Sequence, residues 1–349
     1  MKIFLKRLVL FFSLLMAILV LKKIFTPYFL GNVYFKPKLE YYNKNYETKD
    51  YNTVFFGSSR IFRHINPNVL DSIMSDENIE TFNFGTVGTY NPESYFLYEN
   101  FINNQADEKI DYAFLEIQAL NDIDAKNLAT TKGNYWNSIE FLNFAINYIS
   151  DTNKSDSEKS DLMARYFKSH LYSYFDVKIF KHYSMDTKNT ARRMGSDGFY
   201  SLDDDLEETP NNRVLNQRRE NFLADTEVLK ERRQSVLDIY ERTSDMVLNE
   251  FHYTYLLSLI EKSKEKGIDL IFVLPPRLTE EQYLELLPIS NQLPKRNVIN
   301  LSDPKTYDKL YMNEYSYDVG HLNARGAILM TTYLANEFKD KLQLRDNGN

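Results

Sequence analysis

At 349 residues, with 43% hydrophobic and 15% aromatic side chains, the chain has material for two domains or for one large domain with an insertion. A net charge of −7, with no Lys/Arg block interleaved with aromatics, argues against nucleic acid as a partner. The absence of cysteine excludes disulfides, thiolate metal sites and a cysteine nucleophile, and five histidines without a close pair argue against a histidine metal centre.

Leu8 to Leu21 is an uncharged apolar run, with Lys2, Lys6 and Arg7 before it and Lys22-Lys23 after it. The run is shorter than the roughly 20 residues that cross a bilayer core. No small-x-small cleavage site follows, however, and a lysine pair occupies the place where cleavage would fall. Ile24-Phe25 and Tyr28-Phe29 extend the apolar and interfacial zone. The expectation is an uncleaved anchor over residues 1–25 and a juxtamembrane stalk over 26–50, rich in Tyr, Lys and Asn. An α/β domain would then fill 51–349. Basic residues at both ends of the run lean toward a cytoplasmic N-terminus, which puts the main domain on the periplasmic or extracellular side of the cytoplasmic (inner) membrane.

Thr53-Val-Phe-Phe reads as a buried strand that stops at Gly57-Ser58-Ser59-Arg60, and Pro67-Asn68 opens a helix. Ile79 to Phe84 is a second strand, ending in Gly85-Thr-Val-Gly88-Thr89, with a helix start at Asn91-Pro92-Glu93. Asp111 to Ile117 is a third, followed by Gln118-Ala-Leu-Asn121-Asp122. Gly267 to Leu274 is a fourth, stopped by Pro275-Pro276, after which Thr279 and Gln282 form a capping box. Asn297 to Leu301 is a fifth, and Asn323 to Leu342 a final amphipathic helix. Strands alternating with helices indicate a five-stranded parallel sheet in a doubly wound, flavodoxin-like α/β fold.

A strandless insertion over about 125–255 separates the third strand from the fourth. Ile139 to Ile149 and Leu162 to Tyr183 have helical apolar spacing, divided by the polar stretch Asp151 to Asp161. Arg192 to Arg213, with Asp203-Asp204-Asp205, reads as a solvated loop, a calcium site being the alternative. Phe199-Tyr200 reads as packing within the insertion. Leu215 to Lys266 reads as one long helix or two. The insertion suits a cap over an active crevice or a docking surface.

In an open α/β sheet, ligands bind beyond the carboxyl ends of the strands, where Ser59 would lie. A Gly-Ser-Ser turn serves a bare turn equally well. Far downstream, Tyr317-Asp318-Val319-Gly320-His321 puts an Asp three residues before a His at a helix start. One turn of chain brings that carboxylate to the imidazole, the orienter and base that a serine nucleophile needs. Read alone, the pair also fits an exposed histidine capping the helix. His64, His170, His182 and His252 have no comparable carboxylate in sequence and read as surface or insertion residues. Arg60 and Arg277, at strand ends, fit either an anionic substrate group such as a uronate or phosphate, or a salt bridge to a sheet-edge carboxylate.

Over roughly 51–124 and 265–340 the chain resembles the SGNH, or GDSL-like, hydrolase superfamily. Gly57-Ser58-Ser59 is similar to its first block, with Ser58 in place of the usual Asp. Gly85-Thr-Val-Gly88-Thr is similar to the second, and Asp318-Val-Gly-His321 to the last. Leu322-Asn323-x-x-Gly326 resembles the membrane-anchored branches. The third block, a Gly-x-Asn-Asp turn, is altered to Glu116-Ile-Gln118-Ala-Leu-Asn121-Asp122. The resemblance implies Ser59, Asp318 and His321 as the catalytic set. It implies an oxyanion hole from the N–H groups of Ser59 and Gly88 with Asn121 or Gln118, and no metal or organic cofactor. It further implies a carbohydrate substrate carrying O-acyl groups, often beside a multi-spanning acyltransferase, so that the expected activity is esterase or O-acetyltransferase on cell-envelope or exported polysaccharide. The other expectation is a non-catalytic glycan-binding or assembly protein. A nucleotide-binding domain is disfavoured, because Gly85-x-x-Gly88 makes a poor phosphate cradle.

Overall fold

The computed structural model describes residues 1–89, 92–104, 109–120, 128, 130, 132–133, 138–175, 194–195, 197–243 and 246–346. The chain divides into two compact units.

The first comprises Met1–Lys36 and Asp124–Thr187. Its helix α1 (Lys2–Ile24) is long and apolar enough to cross a membrane and buries none of its residues. The flanking residues around the 14-residue run join the same helix, which supplies the missing length. Lys22 Nζ donates to the Tyr174 carbonyl at 2.8 Å.

Among its described residues this unit also holds α6 (Ile139–Asp151) and α7 (Asp156–Phe175). α6 buries Phe141, Leu142, Ala145 and Ile149, and Phe141 meets Tyr166 of α7 at 5.8 Å between rings. α7 begins inside the stretch expected to be a polar separator. The cause is a reciprocal cap, in which the Ser155 N–H donates to Glu158 Oε2 and the Glu158 N–H to Ser155 Oγ. His182 and the expected C-terminal end of this helix lie outside the described residues.

The second unit comprises Pro37–Ile123 and Lys188–Asn349. The expected single insertion over 125–255 is therefore divided between the units. Five strands, β1 (Thr53–Phe56), β2 (Thr81–Asn83), β3 (Tyr112–Glu116), β4 (Asp269–Leu274) and β5 (Val298–Asn300), form one parallel sheet in the order β2-β1-β3-β4-β5. Phe55, Phe114, Leu270 to Leu274 and their neighbours are buried, as expected where both sheet faces are covered. Phe56 pairs with Leu115, and Glu116 with Val273, so β1, β3 and β4 end at one edge. The Ser59 turn, the Gln118 segment and the Arg277 loop all leave from that edge.

Helices α3 (Ser59–His64) and α4 (Pro67–Ile73) pack on the final helix α13 (Ala324–Asp346), which begins one residue later than expected. α5 is Glu93–Asn104, and α12 (Glu280–Gln292) starts with the expected Thr279/Gln282 box.

Three expectations are corrected. Residues 26–50 are not a stalk throughout, because α2 (Phe35–Lys49) is a helix whose Tyr42 is fully buried against Tyr51, Phe82, Phe84 and Phe101. Lys38 is buried with it and donates to the carbonyls of Asn83, Gly85 and Gly198 at 2.6–2.8 Å. The acidic run is not a loop. Ser201 and Asp204 form a capping box that starts α8 (Leu202–Glu208), Asp205 pairs with Arg63 at 2.6 Å, and Asp203 accepts the Ala324 N–H. Among its described residues Leu215 to Lys266 holds three α-helices: α9 (Arg213–Ala224), α10 (Glu227–Glu241) and α11 (Glu250–Glu265), the first and third capped by Asn212 and Asn249.

Candidate active site

Ser58 is the N-cap of α3, and its hydroxyl accepts from the Arg60 N–H, which leaves Ser59 as the first helical residue. The Ser59 N–H has no acceptor among the described residues, as the geometry of a helix start allows. The turn is tight enough to require glycine at 57. A Cβ there would lie 2.4 Å from Ile61 Cγ1 and 2.7 Å from Glu116 Oε2. Glu116, buried at the end of β3, accepts the Ser58 N–H at 2.5 Å and the Ser58 hydroxyl at 3.0 Å. Burial raises its pKa, while Arg60 and the Ser58 donors work against that rise.

Ser59 Oγ lies 2.9 Å from His321 Nε2, across 262 positions of sequence. His321 Nδ1 lies 3.0 Å from Asp318 Oδ1, which also accepts the N–H groups of Gly320 and His321 at 2.8 Å. The Asp318-x-x-His321 spacing thus closes as one turn. Burial disfavours the Asp318 charge, but His321, Arg218 and the Gly320 N–H outweigh it and hold its pKa well below the usual carboxylate range. The His321 pKa is lowered, by burial first, with Arg218 and Arg60 adding to the fall and Asp318 opposing it. The imidazole therefore stays neutral near neutral pH, as a general base must.

Arg277 does not fit its expected role. It is fully buried at φ 63° and donates to the carbonyls of Leu310, Asp318 and His321 and to Ser316 Oγ. Among the described residues it meets no sheet-edge carboxylate, and it is shut off from solvent. It braces the Asp318–His321 loop. Arg60 meets the sheet-edge reading: its Nη1 lies 3.7 Å from Glu116 Oε1. Its Nε, however, is buried with no hydrogen-bond acceptor among the described residues.

Gly88 adopts φ 66°, in the left-handed region that glycine favours. Its loop is tied to the serine turn through the Thr86 N–H, which donates to the Gly57 carbonyl at 2.9 Å. Gln118 is nearly buried. Its side-chain carbonyl accepts from Ser94 Oγ at 2.6 Å, and its N–H donates to Tyr95 Oη at 2.8 Å. Asn121 lies outside the described residues.

Five further residues escaped the sequence reading. Arg218 of α9 donates to Asp318 Oδ2, and its Nη2 lies 3.0 Å from His321 Nδ1. Nothing in a polar helix singles out that arginine. His64 is corrected from a surface residue: it is buried, and its Nε2 accepts the Leu322 N–H at 3.0 Å, directly after His321. His252 lies within the expected insertion, but is corrected from the expectation that it lacks a carboxylate. It is fully buried, with Nδ1 2.8 Å from Glu285 Oε1 and Nε2 3.2 Å from Tyr95 Oη. Glu285 also accepts the Leu120 N–H through both oxygens. This buried chain pins the segment after β3 at both Gln118 and Leu120. An apolar strand ending in Glu116 was the one available signal for that residue.

A cavity of about 450 Å³ opens beside the pair, lined by Arg218, Asn221, Phe222, Val228, Gly320 and His321 among others. Two other cavities, of about 550 and 630 Å³, lie at the opposite, amino ends of the strands, around Asn52, Asp111 and Gly267. Among the described residues no group of three or more His, Cys, Asp or Glu can hold a metal ion. No protein-family model matches the chain, and no curated protein matches it.

Proposed function

We propose that the chain is a membrane-anchored serine esterase or O-acyltransferase of SGNH type. The observation that carries this reading is the Ser59 Oγ–His321 Nε2 contact of 2.9 Å, with Asp318 at the far ring nitrogen. The strand order 2-1-3-4-5 supports a doubly wound, flavodoxin-like fold, in which the carboxyl edge of the sheet is the ligand crevice.

In this reading His321 Nε2 takes the Ser59 proton as Oγ attacks an ester carbonyl, and Asp318 steadies the imidazolium that forms. The oxyanion of the tetrahedral intermediate is met by the N–H of Ser59 and of Gly88, with Gln118 or Asn121 at the third corner. Collapse returns the proton to the departing sugar oxygen and leaves an acyl-Ser59. Water then completes hydrolysis, or a second hydroxyl completes transfer. No cofactor enters these steps. The substrate class is an O-acylated, most simply O-acetylated, carbohydrate of the cell envelope or an exported polysaccharide. A multi-spanning acyltransferase is the corresponding partner. α1 would hold the body on the periplasmic or extracellular side of the inner membrane.

The test is labelling of the full chain in detergent by a fluorophosphonate probe. The unmodified chain is expected to label, and Ser59→Ala to lose labelling together with ester turnover, by about 10⁶-fold in kcat. No labelling of correctly folded protein would favour the glycan-binding or assembly reading.

A further inference from the structure

We infer that the cavity beside His321 is a subsite for an anionic group on the substrate, a carboxylate or a phosphate, gripped by Arg218. This deepens the esterase or acyltransferase reading and rests on it. Three arginines adjoin Ser59, Asp318 and His321, and a fourth, Arg232, reaches one of them through its backbone carbonyl; only Arg218 of the four lines the cavity. Arg60 follows the serine in the chain, Arg218 contacts Asp318, Arg277 braces the histidine loop, and Arg232 Nη1 donates to the Arg277 carbonyl at 3.2 Å. The carboxylates paired with this group are Asp318 and Glu116. Arg232 has no carboxylate partner among the described residues, and Arg60 Nε is buried without an acceptor. Like charges are costly to hold together, and an incoming anion would balance them. Arg218 is the accessible member. Its side chain is 40% exposed and lines the cavity with Asn221 and Phe222. Asp225 and Asp318 also line the cavity; Asp318 is already paired with Arg218, and the Asp225 carboxylate accepts the Glu227 N–H at 3.2 Å.

The hydrogen-bond arithmetic gives Arg218 a second role. His321 Nδ1 lies 3.0 Å from both Asp318 Oδ1 and Arg218 Nη2. One nitrogen cannot donate to the first and accept from the second. With the proton on Nδ1, as a serine triad needs, the guanidinium faces a donor and opposes the imidazolium. A substrate anion that draws Arg218 toward itself removes that opposition, so the group that anchors the substrate also frees the base.

The experiment uses the full chain in detergent and matched acetyl esters: O-acetyl galacturonate against its methyl ester, and an O-acetyl sugar phosphate against the unphosphorylated sugar. A charge-assisted contact of this kind corresponds to about a 10- to 100-fold preference in kcat/KM for the charged member. That preference is expected to weaken with salt, to collapse toward unity in Arg218→Gln and to return in part in Arg218→Lys. Whichever pair shows it identifies the anion. Equal turnover within both pairs, with Ser59→Ala inactive, would overturn the subsite and leave the enzyme intact. A preference unchanged in Arg218→Gln would overturn Arg218 as its ligand. Absence of turnover and of probe labelling would remove the enzyme and the subsite together.

An independent observation in the first unit supports a second inference: we infer that the C-terminal half of α7 lies in the membrane interface. Phe167, Leu171, Tyr172 and Phe175 are all exposed and share one face of this helix. The Tyr174 carbonyl accepts from Lys22, in the last turn of α1, where a spanning helix meets the headgroups. Apolar side chains fixed at that depth suit the boundary between headgroups and acyl chains. Because the chain has no cysteine, Leu171→Cys gives a unique attachment point for an environment-sensitive dye. In proteoliposomes its emission is expected to shift to the blue and to be quenched by spin-labelled lipid, unlike a Ser157→Cys control. Emission matching the control, or a blue shift without lipid quenching, would overturn membrane contact in favour of solvent or of a protein partner.

Discussion

Glu116 accepts both the backbone N–H and the hydroxyl of Ser58, so one buried carboxylate fixes the turn that presents Ser59. The same carboxylate faces the Arg60 guanidinium on the other side of the serine. The residue between two groups held by one anion has little freedom to drift from His321.

Replacing Glu116 by Ala leaves two Ser58 donors without their buried acceptor. A loss of roughly 1–3 kcal/mol in unfolding free energy is expected from the stranded groups. On the proposed esterase reading, a fall in kcat larger than any rise in KM should accompany it, because Ser59 Oγ loses its placement. Glu116→Gln keeps one acceptor oxygen and should lie between. Denaturant unfolding and steady-state kinetics on the folded variants check both.

The pH profile follows from the neighbours of His321. Burial, Arg218 and Arg60 lower its pKa and Asp318 raises it. His64, also held neutral by burial, stands 5.7 Å away ring to ring and adds no charge. The neutral base exists above the His321 pKa, so the acid limb of the rate should fall below the ordinary histidine value of about 6.5. Arg218→Gln removes one lowering influence and should move that limb to higher pH. Asp318→Asn should move it lower while slowing the reaction. Rates on a neutral ester across pH 4 to 8 decide the signs.

His64 predicts an acid-labile fold. Its folded pKa lies well below the unfolded one, chiefly through burial, so the unfolded chain binds the extra proton first. Stability should be complete above the ordinary histidine pKa of about 6.5 and decline as pH falls below it. His64→Gln removes the titrating group and should flatten that decline, even if its stability at pH 8 is lower. Thermal unfolding at several pH values between 5 and 8 tests it.

Glu285 and His252 support the segment after β3 from below. Glu285→Ala strands the Leu120 N–H and the His252 ring nitrogen, with an expected cost of about 1–3 kcal/mol. If Gln118 serves the oxyanion, kcat should fall further than stability alone explains, and His252→Ala should reproduce the fall.

The sheet was legible because its strands are short apolar runs, β1 and β2 closed by Gly and β4 by Pro, and Thr279 with Gln282 announced a helix in four residues. The Ser59, Asp318 and His321 set was legible because each member sits at a strand or helix boundary that fixes its direction. α8 was not. Its Ser201 cap pairs with an Asp at the third position instead of Glu or Gln, and Asp203 and Asp205 look solvated until Ala324 and Arg63 are seen beside them. Arg218 was beyond sequence reasoning altogether, since its meaning comes from Asp318, 100 positions away. α2 carried a usable signal that was missed: Phe35, Leu39, Tyr42 and Tyr46 recur at helical spacing within a polar stretch.

Lys38 gives α2 a practical consequence. Three backbone segments converge on one ammonium group whose pKa burial and nearby Arg63 both depress. A recombinant fragment designed to shed the greasy leader by starting at residue 40 would also delete this cation, leaving three inward-facing carbonyls with nothing to neutralise their dipoles. Such a fragment should express poorly for a reason unrelated to lipid, whereas one starting at Thr26 would retain the staple.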